Sequence, residues 1–373
     1  MTSPRIEVDL RKIRHNTQAL VGRLKERGIN VTGVTKAVCG HPAIAQAMLD
    51  GGCIGLAEAR LSNVQRLRKG GIACPITLIR TPMLSQVDEI VQLCEASYNT
   101  EIVVIAGLAA AAIRENTVHG IVLMVEMGDA REGILPENLG DVAQQVARMP
   151  GVALKGVGAN FACLSGMAPT AAQMVVLSSL SNEMETLCGP FNQTVSGGNS
   201  ANLPWALGKR SRGCINDLRL GEAILLGVDP ITGEHIDGMH TDAFVLVAEV
   251  IETDARPAPP AIVLVGPALA RFQHVSTSEI NTRLIFAIGQ QDTDIQGLSM
   301  PPGSTLIGAT SDHLVISMNR SPLRVGAEMR FQMNYKALMH AMAAPDIQTE
   351  LLHDQPSKWS QKIQSKTDHL TLV

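Results

Sequence analysis

The residues with chemistry in them fall at or just after the ends of short apolar runs. Lys36 closes the first run, NVTGVTK, and small residues, a glycine and His41 follow it in TKAVCGHP. Glu58 closes the second run, Thr81 the third and Asn99 the fourth. Arg131 follows the fifth, Asn160 closes the sixth, Ser196 to Ser200 close the seventh, and Arg219 lies within the eighth. Each is ordinary alone. A lysine often marks a strand's exit into solvent, and a glycine-rich turn such as SGGNSAN, residues 196–202, is by itself a weak sign of anion binding. Together they describe one chemistry. A pocketed lysine can serve as an amine nucleophile. The turn presents free backbone N–H groups with hydroxyl and amide side chains where a helix begins, and Gly221 in RLGEAILLG offers more N–H donors beside it, so a phosphate could be cradled there. An amine, a phosphate cradle and arginines are the set needed to hold pyridoxal 5′-phosphate (PLP) as a Schiff base.

Those positions need a scaffold that brings strand ends together. Between residues 30 and 227, apolar runs such as PITLIRT and GIVLMVEMG alternate with helical patterns such as HPAIAQAMLDGG and LGDVAQQVARMPG, several ending in a glycine cap. Near-continuous apolar strands alternating with helices argue for a parallel sheet covered on both faces. About eight such units in this length fit a closed (β/α)8 TIM-type barrel better than an open sheet, and such a barrel collects chemistry at the C-terminal ends of its strands. After about residue 235 the texture changes to strand-like runs (DAFVLVAEVIET, AIVLVG, LIFAIGQQ, STLIGATSDHLVISM, EMRFQM) with Pro/Gly turns between them. The reading is therefore α/β: a PLP-binding barrel over 8–232, a smaller mainly-β C-terminal domain over 233–345 that residues 1–7 could join, and a loosely held tail over 346–373.

The totals exclude other classes. The chain has 373 residues with 45% hydrophobic and 18% charged side chains, a globular composition. A net charge of −4 leaves no basic stripe for nucleic acid and no cationic face for a membrane. The charged start, MTSPRIEVDLRKIRHN, does not read as a secretory signal, and no apolar run is long enough to span a bilayer. Seven scattered cysteines without a CxxC pair suggest reduced thiols in the cytoplasm, and no metal site.

The chain resembles the alanine racemase-like, fold-type III PLP enzymes, and within them the alanine/ornithine racemase branch. The likeness runs from RIEVDLRKIRHN to NYKALMHAM, about residues 5 to 342. TKAVCGH resembles the family's lysine motif, which implies Lys36 as the Schiff-base residue. VEMGDAREG implies Arg131 beside the PLP phenolic oxygen and the substrate carboxylate. GVGANFA matches a segment that often carries a histidine beneath the cofactor, where this chain has Asn160. SGGNSAN, with Ser196 and Asn199, implies Ser200 as a phosphate ligand. LRLGEA implies Arg219 facing the pyridine nitrogen, with Gly221 and Glu222 giving backbone N–H groups to phosphate. Tyr335 in NYKALM resembles a late tyrosine that also reaches phosphate.

The resemblance implies an amino-acid racemase acting on a small or basic amino acid of the ornithine or alanine type, assembled as a homodimer in which each β domain completes its partner's site. Racemisation needs a second base opposite Lys36, and the partner tyrosine typical of the family is missing: the chain's two tyrosines are Tyr98, in the barrel half, and Tyr335. GATSDHLVI resembles the segment that meets the substrate carboxylate from the neighbouring subunit. Ser311 and Asp312 are thus candidates for substrate binding, Asp312 and His313 for catalysis, and His274 is a further one, against the plain reading of each as a turn or surface residue. Asp129 and Glu132, flanking Arg131, could receive a distal ammonium or simply pair with the arginine. Two rivals share the cofactor: a D-amino-acid aldolase or decarboxylase, and a non-catalytic PLP carrier. An aldolase of this fold would need a metal, for which no late ligand cluster stands out, and a carrier has no use for a second domain.

Overall fold

The computed structural model describes residues 3–190, 194–256, 281–319 and 321–352. Strand β1 (Arg5–Asp9) leads into α1 (Leu10–Lys25), and the Asp9 carboxylate caps that helix by accepting from the N–H groups of Arg11 and Lys12 at 3.0 and 3.3 Å. Eight parallel strands follow: β2 (Asn30–Val34), β3 (Gly55–Glu58), β4 (Ile76–Leu78), β5 (Ala96–Asn99), β6 (His119–Val125), β7 (Val152–Ala159), β8 (Thr194–Ser196) and β9 (Asp217–Leu220). They pair in chain order, and β9 returns to β2 with Asn30 opposite Asp217, closing the barrel. Every residue of β6 is buried, as expected of a strand with side chains in the barrel on one face and against helices on the other. The helices between the strands are α2 (Pro42–Asp50), α3 (Leu61–Lys69), α4 (Val87–Leu93), α5 (Ile102–Arg114), α6 (Leu139–Ala147), α7 (Ala171–Cys188) and α8 (Leu203–Ala206), with α9 (Glu222–Leu226) after β9.

Beyond the barrel lie β10 (Phe244–Arg256), β11 (Asn281–Phe286), β12 (Leu298–Ser299), β13 (Ser304–Ala309), β14 (Leu314–Asn319), β15 (Glu328–Met333), helix α10 (Tyr335–Ala343) and β16 (Gln348–Leu352). The sheet runs β12-β15-β10-β11-β14-β13, all antiparallel, around an edge-to-face pair of Phe286 and Phe331 with ring centroids 5.6 Å apart. The expected run AIVLVG, and His274, lie outside the described residues. Strand β1 joins this second sheet, antiparallel to β10 (Ile6 opposite Leu246) and parallel to β16 (Ile6 opposite Thr349).

One expectation is corrected. Gln348–Leu352 was read as part of a loose tail, yet it forms a strand. Its sequence, QTELL, lacks clean alternation; its place is set by the free edge of β1 and by Glu350, whose Oε2 lies 2.9 Å from Arg5 Nε.

Candidate active site

The C-terminal ends of the barrel strands open into a cavity of about 620 Å³ whose wall includes Lys36, Thr81, Arg131, Asn160, Asn199, Ser200, Arg219, Gly221, Glu222 and Tyr335. Lys36 starts a single 3-10 turn, Lys36–Val38, directly after β2. The turn ends in two left-handed residues, Cys39 (φ 51°) and Gly40 (φ 61°). At Gly40 a Cβ would sit 2.7 Å from the Asn63 carbonyl oxygen, so the chain needs glycine to leave the turn there. Helix α10 packs on the same turn and brings Tyr335 to the cavity. Burial, with a lesser contribution from Glu222, pushes the Tyr335 hydroxyl pKa up, so it stays protonated and can donate. Glu58 is fully buried beneath: its Oε2 accepts from Thr35 Oγ1 at 2.9 Å and its Oε1 from the Ala59 N–H at 2.6 Å. It braces the strand ends beside Lys36 and does not line the cavity.

Arg219 is 4% exposed and projects from β9 into the barrel. Nη1 donates to Ser196 Oγ at 2.6 Å and to Tyr98 Oη at 3.3 Å; Nη2 donates to the Ala159 carbonyl at 2.8 Å and to Asn160 Oδ1 at 2.7 Å. The guanidinium carbon lies 4.6 Å from the centre of the Tyr98 ring. Arg219 is linked to the buried Asp217 carboxylate through Ser196, which donates to Oδ2 at 2.7 Å, while Thr32 donates to Oδ1 at 2.7 Å. Burial raises the Asp217 pKa, and the two hydroxyls and Arg219 oppose that rise.

A second arginine sits at the mouth. Both Nε and Nη2 of Arg131 donate to the Glu132 carboxylate. Asn160 Nδ2 donates to Glu132 Oε1 at 2.8 Å. A hydrogen-bonded chain therefore runs Arg131–Glu132–Asn160–Arg219 across the opening. Asp129 is turned away from it: Oδ1 accepts from the N–H groups of Leu164 and Ser165 at 3.0 and 3.2 Å, tying down the loop after β7.

At the opposite wall, the turn after β8 carries Asn199 and Ser200. Gly198 adopts φ +101°, and a Cβ there would approach Phe161 Cδ2 to 2.8 Å. Asn199 Oδ1 accepts from the Ala201 N–H at 3.0 Å, and Ser200 Oγ accepts from the Ala223 N–H at 3.3 Å, which joins the turn to α9. Burial pushes the Glu222 carboxyl up to about 7, with Lys36 pulling it down and Asp229 adding to the rise.

Not every residue singled out in the sequence reaches this cavity. Ser196 is not among the residues lining it; its hydroxyl accepts from Arg219 Nη1 at 2.6 Å. Asn99 is wholly buried, its Nδ2 donating to the Ser97 carbonyl and hydroxyl at 2.8 and 3.0 Å. Ser311, Asp312 and His313 occupy the exposed β13–β14 turn, with Ser311 Oγ donating to Asp312 Oδ2 at 2.5 Å, and do not line the cavity of their own chain. Residues that the sequence reading passed over include Tyr98, set under Arg219, and Cys163 and Arg80, which line the wall. Cys163 and Arg80 follow β7 and β4, so their places after strand ends were a usable signal; nothing local marked Tyr98 as inward-facing. Among the described residues, no three His, Cys, Asp or Glu side chains converge as metal ligands.

Residues 8–230 match the family described as alanine racemase, N-terminal domain. The chain is 33% identical to a lysine racemase of Thermotoga maritima, across 93% of this chain and 98% of that one. It is 31% identical to an ornithine racemase of Acetoanaerobium sticklandii, across 94% and 99%. Among solved structures, the alanine racemase of Streptomyces lavendulae superposes with a TM-score of 0.75 at 18% identity, across 95% of this chain and 99% of that one. With a family match over more than half its length and full-length relatives above 30% identity, the chain belongs to the alanine racemase family.

Proposed function

We propose that this protein is a PLP-dependent amino-acid racemase. The observation that carries the reading is the position of the Lys36 amine in one cavity with Ser200, Gly221, Tyr335, Arg219 and Arg131. The donor set fits the cofactor. Ser200, Tyr335 and the backbone N–H groups at Gly221 and Glu222 would hold its phosphate, Arg219 its ring nitrogen, Arg131 its phenolic oxygen, and Lys36 the cofactor itself, covalently through its amine. Arg219 supports this assignment because, among the described residues, its hydrogen bonds go to neutral groups alone, leaving its charge for a ligand.

When bound, PLP supplies an aldehyde for the substrate amine and a sink for the electrons left as the α-proton departs. The protein supplies the rest. The Lys36 amine, once free, would take and return a proton at the α-carbon on one face. A guanidinium stays charged in proteins and gives up no proton, so Arg219 beside the ring nitrogen would leave the cofactor a weak electron sink and favour reprotonation over side reactions. Arg131 holds the α-carboxylate. The acid/base on the other face we assign to a partner subunit's β13–β14 turn, with Ser311 meeting the carboxylate and Asp312 or His313 carrying the proton. That assignment requires a homodimer. The chain then divides near residue 232 into the cofactor-binding barrel and the domain that caps its partner. Seven unpaired cysteines support a reducing compartment, the cytoplasm.

The test is to incubate the PLP-loaded protein with single L-amino acids in D₂O and follow optical rotation and α-proton exchange. Exchange with inversion is expected. Exchange with retention would leave one working base, and no exchange with any proteinogenic amino acid or ornithine would turn the reading to the aldolase or carrier alternatives.

A further inference from the structure

Arg131 and Glu132 form an ion pair at the cavity wall with side chains 36% and 22% exposed, so the pair is open to an incoming zwitterion. The substrate α-carboxylate and the Glu132 carboxylate compete for the same guanidinium. Whichever loses leaves a negative charge in a half-buried site, where an uncompensated charge is costly. An amino acid with a short apolar side chain offers nothing in exchange, and Glu132 then keeps only the Asn160 amide at 2.8 Å. A side chain that ends in an ammonium restores the pairing. Charge counting gives a neutral set of Arg131, α-carboxylate, Glu132 and side-chain ammonium, against a net −1 with alanine.

We propose that Glu132 determines specificity for basic amino acids: the substrate α-carboxylate takes its place on Arg131, and the freed carboxylate receives the ammonium of the substrate side chain. The inference rests on the racemase reading above. The two neighbouring acids are unsuited. Asp129 is committed to the Leu164 and Ser165 N–H groups and turned from the cavity. Glu222 stands by Lys36, and its burial keeps it part-protonated near neutrality, a weak partner for a cation. Asn160 holds Glu132 Oε1, the oxygen that Arg131 Nη2 also reaches, and its own carbonyl is pinned by Arg219 at 2.7 Å.

The experiment compares wild type with E132Q and E132D, PLP-loaded, on ornithine, lysine and alanine. It measures kcat/KM and, independently of turnover, calorimetric dissociation constants for each amino acid. For E132Q the ornithine-to-alanine ratio is expected to fall at least about 10-fold in both measures, the scale of losing one hydrogen bond to a charged group. E132D keeps the charge and the fold while shortening the reach by one methylene, so the lysine-to-ornithine ratio should rise. A ratio that E132Q leaves within about twofold of wild type, or an E132D ratio that does not move, overturns the assignment. A wild type that racemises no amino acid overturns the racemase reading instead, and the two failures are told apart by that control.

Discussion

Two buried arginines, one in each sheet, are held in opposite ways. Arg5, 6% exposed, lies among carboxylates: Nη2 donates to Glu7 at 2.8 Å and to Glu328 at 2.9 Å, and Nε pairs with Glu350 at 2.9 Å without a well-aligned N–H. Glu7 is further gripped by Arg330. Arg219, 4% exposed, bonds to hydroxyls, a carbonyl and an amide, with Asp217 one serine removed. A guanidinium surrounded by carboxylates has its charge consumed by the fold and ties β1, β15 and β16 together. A guanidinium solvated by neutral oxygens keeps its charge available for whatever enters the cavity. The second arrangement costs stability unless a ligand uses it, which is what a functional site looks like in energetic terms.

Exchanging each arginine for a residue of similar shape should separate the two roles. Arg219→Met should lower kcat/KM about 10³-fold, the scale of losing one preorganised charge on a reacting group, while the melting temperature moves little. Arg5→Met should do the reverse. It leaves the buried Glu7 without Arg5, with Glu328 and Glu350 also unpaired, and should cost about 3 kcal/mol in denaturant unfolding with kcat/KM on the correctly folded fraction preserved. Equal effects of the two substitutions on stability would dissolve the distinction.

The pH dependence should also differ in sign. Arg5 holds the Glu328 pKa below its usual range, and Arg330 and Arg5 do so for Glu7 against the opposing effect of burial. The stability from this cluster is present above the unfolded carboxylate pKa and is lost as the pH falls through the depressed values. Glu222 is raised to about 7 by burial, so its contribution is full below about 4.5 and disappears as the pH climbs to 7. Glu222→Gln should therefore flatten the fall in stability between these values, a change on the order of 2 kcal/mol in urea midpoints measured across that window. The smallest effect expected is from Asn160→Ala. It unlinks Glu132 from Arg219 and should reduce kcat/KM about 10-fold, one hydrogen bond's share.

Much of this was legible before any coordinates. The alternation of apolar runs with glycine-capped helical stretches specifies the barrel, and polar residues at strand ends specify its mouth. Lys36, Ser200, Arg219 and Gly221, at, within or just past those strands, line one cavity, and Tyr335, singled out in the sequence only through the family resemblance, lines it too. What stayed hidden has a common cause. A barrel strand is buried on both faces, so alternation says nothing about which side a residue takes. Tyr98 and Asn99 are neighbours in β5, yet Tyr98 meets Arg219 inside while Asn99 folds back on Ser97. Ser196, close to the cavity in sequence, stands behind Arg219 in space, and alternation does not show that either. Strand β16 was missed because its stability comes from pairing with β1, some 340 residues earlier in the chain, and from Arg5.

The proposed function depends on the Lys36 amine holding the cofactor. Borohydride reduction of the PLP-loaded protein followed by peptide mass spectrometry tests it directly, because reduction makes the link permanent. A single pyridoxyl-modified peptide carrying the label on Lys36, absent from Lys36→Ala, is expected. Label on another lysine, or none in a protein that retains its visible absorbance, would contradict it.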